Sequence, residues 1–138
     1  MLEFNLFLID YWYFSVPLFF FIFLFTYSEM NKGGKKIEPN ELTRLVNKEN
    51  AILIDLRKKE DYENGHIMTA MNYPHQEFDN QMHELEKFKD RPIILVCDMG
   101  RNSANIGEKL KKAEFEITFR LNGGMMTWTQ ENLPVVQK

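Results

Sequence analysis

The chain has a single cysteine, Cys97, among its 138 residues. No intramolecular disulfide can form, which excludes a small secreted scaffold stapled by disulfides. A clustered basic face is also missing. Lys and Arg number 17 against 20 Asp and Glu, well mixed, for a net charge of −3. A nucleic-acid footprint needs such clustering, so no nucleic-acid partner is expected. Only three histidines occur. His75 and His83 lack ligand spacing with one another and with Cys97, so no metal site is expected. No internal repeat or low-complexity tract occurs outside the N-terminal segment.

What is present is unevenly distributed. Aromatic residues crowd into that segment, and Tyr11 to Tyr27 reads YWYFSVPLFFFIFLFTY without a charge. As a helix this run spans roughly 25 Å, close to the ~30 Å hydrocarbon core of a bilayer. Leu6 to Ile9 can extend it, with Asp10 near the outer interface and Tyr11, Trp12, Tyr13 and Tyr27 at the headgroup levels. Pro17 is tolerable in a membrane helix. No Lys or Arg precedes the run and no small-residue cleavage pattern follows it, which argues against a cleaved signal peptide. Lys32, Lys35 and Lys36 follow directly, so the positive-inside rule places the N-terminus outside and the remainder in the cytoplasm. A lone thiol suits that reducing compartment. The expected organisation is residues 1–28 carrying a transmembrane anchor (about 6–28), a basic linker over 29–36 made flexible by Gly33 and Gly34, and a folded domain over 37–138. About 100 residues can bury an adequate core.

Within that domain, Pro39 and Asn40 open an amphipathic stretch with Leu42, Leu45 and Val46 on one face. Ala51 to Leu56 (AILIDL) suits a buried parallel strand. Lys58 to Asn64 reads as a helix stopped at Gly65. A short extended piece around Met71 to Tyr73 ends at Pro74. Phe78 to Phe88 reads as helical, with Met82, Leu85 and Phe88 spaced three apart. Ile93 to Val96 is a strongly hydrophobic strand, Asn102 to Lys112 a helix, Ile117 to Leu121 a strand, Gly123-Gly124 a turn and Met125 to Gln130 a closing helix. This alternation predicts an α/β fold around a parallel sheet.

Cys97 falls between a strand and a helix, at the sheet edge where ligands bind in open α/β folds. The intervening D-M-G-R-N-S contains Gly100, free to take a conformation other residues resist. Such a loop can turn its N–H groups inward at a helix N-terminus and hold an anion. A thiolate, then a persulfide, is the anion this position offers. The carboxylate of Asp98 opposes it. Taken alone, a cysteine after an apolar run is more often a small buried hydrophobe.

Three segments together resemble the rhodanese (sulfurtransferase) family. IDLRKKEDYENGHIMTAMNYP (Ile54 to Pro74) is similar to its N-terminal signature of D-x-R, an acidic–aromatic pair and G-H-I. VCDMGRNSA (Val96 to Ala104) is similar to its active-site loop, and LNGGMMTWTQENLPV (Leu121 to Val135) to its closing G-G-x-x-x-W and L-P signature. The arrangement resembles a membrane-anchored single-domain branch. The resemblance implies a parallel sheet flanked by helices and a persulfide relay. Cys97 takes sulfur from thiosulfate or a protein persulfide and passes it to an acceptor thiol or cyanide, with no metal or organic cofactor. It casts Cys97 as catalytic. Asp98, Met99, Gly100, Arg101, Asn102 and Ser103 form the substrate-binding loop, its N–H groups stabilising the sulfur anion as an oxyanion hole would.

Asp55 and Arg57 support that loop, or Arg57 pairs with Glu60 or Asp61. His66 is expected to anchor a turn. The chain departs from the family pattern in three places. Asn102 stands where Arg or Thr is frequent, with Arg101 beside it as the substitute cation. Asp98 stands where Arg or a neutral residue is frequent, and Met68-Thr69 replaces Pro-Gly. These changes weigh against rapid thiosulfate turnover. They leave open an alternative, a membrane-tethered binding or regulatory module that engages a membrane protein, with Cys97 incidental. A cysteine phosphatase is excluded, since its phosphate-clamping Arg would fall at Ser103.

Overall fold

In the computed structural model, which describes residues 1–137, the chain divides into two units, Met1–Asn31 and the residues from Lys32 onward. The first unit consists of helices α1 (Leu2–Asp10) and α2 (Trp12–Met30), in which no residue is buried. Tyr11 separates them at φ −113° and ψ 35°, so the apolar stretch read as one span from about residue 6 is two helices. Residues 6–9 belong to α1. Helix α2 has 19 residues and a mean hydropathy of 1.4, and is a candidate membrane span by length and composition.

The second unit runs β1 (Lys35–Ile37), α3 (Pro39–Glu49), β2 (Ile52–Asp55), α4 (Lys59–Asn64), β3 (Met71–Asn72) and α5 (Phe78–Gln81). A 3₁₀ helix (Met82–Phe88), β4 (Ile93–Val96), α6 (Arg101–Lys112), β5 (Thr118–Leu121) and α7 (Gly124–Gln130) complete it. The five strands form one sheet in the order β1-β5-β4-β2-β3, and every pairing is parallel. Both faces are covered, which is why the central strands read as unbroken apolar runs. Successive side chains alternate between faces. Leu53, Ile94, Val96 and Leu121 pack with Leu42 and Leu45 of α3 and with Met125 and Trp128 of α7. Ile54, Ile93, Leu95 and Cys97 pack with Ile106 and Leu110 of α6, with Phe78 and with Leu85.

Two expectations need correction. Over Phe78 to Phe88 only Phe78–Gln81 is α-helical, and Met82–Phe88 is 3₁₀. The three-residue spacing of Met82, Leu85 and Phe88 matches the three residues per turn of that tighter helix. The second correction concerns the linker. Gly33 and Gly34 are buried, at φ +78° and +108°. The Gly33 N–H donates to a Glu108 carboxylate oxygen at 2.6 Å, and the Gly34 carbonyl accepts from Arg120 Nε at 3.2 Å. Lys35 then pairs with Phe119 in the sheet. Here glycine supplies positive φ and close backbone approach, not flexibility. The folded unit therefore begins before residue 37.

The closest approach is between Gly33 and Gly107 of α6. A Cβ on Gly107 would collide with the Gly33 carbonyl. Helix propensity alone favours Ala over Gly by about 1 kcal/mol, but the collision reverses the sign. Gly107→Ala is expected to destabilise the detergent-solubilised chain by about 1–3 kcal/mol, measured by denaturant unfolding. Equal or higher stability would show that the 33–34 segment is not clamped on α6.

Candidate active site

Strand β4 ends at Val96, and its neighbour β2 ends beside it with Asp55 in register. The Leu56 N–H donates to the Val96 carbonyl at 2.7 Å, carrying the ladder one residue past the strands. From β2 the chain leads to β3 on one side, and from β4 to β5 on the other. The crevice at such a reversal, at the carboxyl ends of the strands, is where ligands bind in open parallel sheets.

Cys97 follows β4 and is 2% exposed. Gly100, at φ +90°, caps the N-terminus of α6. Its N–H donates to Cys97 Sγ at 2.9 Å, and its carbonyl accepts from Ser103 Oγ at 2.8 Å. The loop is also held from α7. The Met125 N–H donates to the Cys97 carbonyl at 2.8 Å and the Met126 N–H to the Asp98 carbonyl at 3.0 Å. Gly124 permits this, since a Cβ there would strike those two carbonyls. Thus the Gly123-Gly124 pair is more than a turn: it lets the helix N-terminus grip the cysteine loop. The first amides of α6 have no intrahelical partner, so that end favours an anion near the sulfur.

A cleft of about 190 Å³ opens at Cys97, lined by Leu56, Arg57, Lys58, Asp61, His75, Asp98 and Asn102. Asp98 and Asn102 of the expected loop therefore border it. Met99, 58% exposed, does not. Neither does Arg101, whose side chain is exposed at the start of α6, so the suggested substitute cation does not line the cleft. Ser103 is fully buried and spends its hydroxyl on the loop backbone. His75, which has no metal-ligand spacing in the sequence, also lines the cleft. Its Nδ1 lies 3.3 Å from the Leu56 carbonyl and 3.5 Å from Asn102 Nδ2. Among the described residues no cluster of His, Cys, Asp or Glu is arranged to hold a metal ion.

Arg57 does not pair with Glu60 or Asp61. It pairs with Asp55, Nη2 to Oδ2 at 2.9 Å, with side chains 9% and 1% exposed. The Asp55 carboxylate also accepts the Arg57 backbone N–H at 3.0 Å, and Arg57 Nη2 reaches the Gly65 carbonyl at 2.6 Å. Two residues apart across the strand end, Asp55 already meets both the backbone and the side chain of Arg57. Asn72 on β3 completes the brace, donating from Nδ2 to the Asp55 and Arg57 carbonyls. His66 anchors its turn as expected. Its Nδ1 lies 2.7 Å from the Tyr62 carbonyl, and its ring stacks on Tyr62 with centroids 3.8 Å apart. Burial, and secondly the Asp55 charge, hold the Tyr62 phenol above its usual range. It therefore stays protonated and donates to the Ala70 carbonyl at 2.6 Å.

A parallel five-stranded sheet flanked by helices, with a cysteine loop at its switch point, defines the class as an open α/β domain. The chain belongs to the rhodanese-like domain family, whose model matches residues 38–131. It is 37% identical over 123 residues to the uncharacterized protein YibN of Escherichia coli K12, across 88% of this chain and 86% of YibN. It is 26% identical over 98 residues to the thiosulfate sulfurtransferase GlpE of Shewanella oneidensis, across 71% of this chain and 95% of GlpE. Among solved structures, a rhodanese-related protein from Thermoplasma volcanium matches with a TM-score of 0.67 at 25% identity, over 75% of this chain and 99% of that one.

The buried Asp55–Arg57 pair makes a specific demand on stability. Asp55→Ala leaves a guanidinium buried without its partner and is expected to cost about 3–5 kcal/mol. Replacing both, as Asp55→Ala with Arg57→Met, recovers part of that loss. Urea unfolding of the three chains checks the order, and a double variant no more stable than Asp55→Ala would contradict it.

Proposed function

We propose that the chain is a single-cysteine sulfurtransferase or persulfide carrier working through Cys97. The observation that carries this reading is the Cys97 sulfur at a cleft, accepting the Gly100 N–H at 2.9 Å. With thiosulfate as donor, the Cys97 thiolate attacks the outer sulfur. The Cys97 S–S bond forms, the donor S–S bond breaks, and sulfite leaves with the electron pair. One thiolate and one thiosulfate dianion become one persulfide anion and one sulfite dianion. A protein persulfide serves in the same way, its carrier leaving as a thiolate. In the second half, an acceptor thiolate attacks the outer sulfur and Cys97 departs as the thiolate. No metal or organic cofactor takes part. In this reading the loop from Asp98 through Met99, Gly100, Arg101, Asn102 and Ser103 turns its backbone N–H groups to the sulfur anion, as Gly100 does, and Asp55 and Arg57 brace the neighbouring loop. The N-terminal helix holds the domain on the cytoplasmic side of the bacterial inner membrane, as a single-pass protein with its N-terminus outside.

A second reading has its own support. Cys97 is 2% exposed and the Asp98 carboxylate borders the cleft, which suits a membrane-tethered binding or regulatory module. Intact mass spectrometry of the detergent-solubilised full chain separates the two. After thiosulfate or a protein persulfide, the wild type is expected to gain about 32 Da, one sulfur, and Cys97→Ser to gain nothing. If neither donor adds sulfur to a folded chain whose thiol still alkylates, the binding module is the better account.

A further inference from the structure

A charged side chain behind the cysteine has no part in the reading above. Arg120, on β5, is 4% exposed and stands in register with Leu95 of β4. Leu95 and Cys97 share one face of the sheet. Phe119 and Leu121, on either side of Arg120, pack on the other face. Alternation therefore puts Arg120 on the Cys97 face, the one α6 covers. Its Nε donates to the Gly34 carbonyl at 3.2 Å. Among the described residues, no carboxylate forms an ion pair with it.

A guanidinium keeps its charge in a protein, and burying an unpaired charge is expensive. Burial lowers the Arg120 pKa from its ordinary value; the groups that oppose this are the Cys97 sulfur first and the Glu108 carboxylate second. Glu108 is already engaged by the Gly33 N–H at 2.6 Å. The charges on the mouth side are arranged differently. Arg57 is matched by Asp55, and the cleft lining adds Lys58, Asp61, Asp98 and His75. Arg101 is exposed and outside that lining. Arg120 is thus a cation with no ion pair inside the fold, while Lys58 is the cation that lines the cleft outside it.

We propose that Arg120 is a positioning residue for the sulfur chemistry, a buried guanidinium that acts as counter-charge to the thiolate or persulfide anion of Cys97. This rests on the Cys97 reading and accounts for a loop whose own cation, Arg101, lies outside the cleft lining.

The test is the rate at which iodoacetamide alkylates Cys97, measured against pH on the detergent-solubilised full chain. With a single cysteine, the adduct is unambiguous. Arg120→Gln is expected to react about tenfold more slowly near neutral pH, with its profile displaced to higher pH and its plateau at high pH unchanged. Arg120→Lys keeps most of the wild-type profile. Glu108→Gln removes a competing negative charge while leaving an acceptor for the Gly33 N–H, so its profile moves to lower pH. A thermal unfolding transition shows which variants fold. If Arg120→Gln does not, the direction of the Glu108→Gln shift decides. Superimposed profiles for wild type and folded Arg120→Gln would overturn the proposal, as would a Glu108→Gln profile unmoved or moved to higher pH. Alkylation needs no sulfur donor. Loss of sulfur transfer with these profiles as expected would therefore sink the transferase reading alone.

Discussion

The pairing of β2 with β4 is the contact on which the remaining structure depends. Both strands are four residues long and buried throughout, so the chain has little freedom in where it places them. A slip of β4 by one residue would exchange the faces of all its side chains, sending Val96 towards α6 and Cys97 towards α7. The register Asp55↔Val96 sets the two strand ends level. The loop carrying Arg57 and the loop carrying Cys97 then leave the sheet side by side. The cleft is a consequence of that level ending, and its walls include the first residues past each strand.

Around this point the protein uses backbone more than side chains to shape the site. The cysteine loop is held by the Gly100 amide from within and by two α7 amides from outside. Glycine at 100 and 124 meets two different needs. Gly100 supplies a positive φ where the loop turns into α6; Gly124 leaves room for two carbonyls. The opposite wall is held by charge instead. Asp55 orients Arg57, Arg57 reaches Gly65, and Asn72 ties both carbonyls to β3. A buried pair of this kind adds little net stability over apolar packing, but its removal by halves is severe. Its contribution is to hold one arrangement of the wall.

The central strands, the helices between them and the loop at Cys97 were legible because each carries a local signal. Apolar runs mark strands buried on both faces, and Leu42 and Leu45 mark one helix face. What escaped depends on contacts distant in sequence. Strand β1 reads Lys-Lys-Ile, with no strand pattern, and exists because β5 offers it an edge. Gly33 and Gly34 look flexible until α6, some seventy residues away, closes on them. The partner of Arg57 was chosen among nearby acids, yet strand geometry favours Asp55, two residues back. His75 and the α7 amides reach the site only through tertiary packing. Arg120 carries no motif at all; only burial and register single it out.

The placement of charge also divides the work of the site in a way the reaction can use. In the proposed cycle the attacking thiolate and the persulfide anion it becomes each carry one negative charge, because the donor's leaving group removes the balance. A cation fixed inside the fold therefore suits both states and need not move between them, as a preorganised environment should. Outside the fold the cleft lining mixes signs, with the carboxylates of Asp61 and Asp98 beside Arg57 and Lys58. On the proposed reading, the hold on the sulfur anion then comes from inside the fold and from the Gly100 N–H, and the loop's own cation, Arg101, need not enter the cleft.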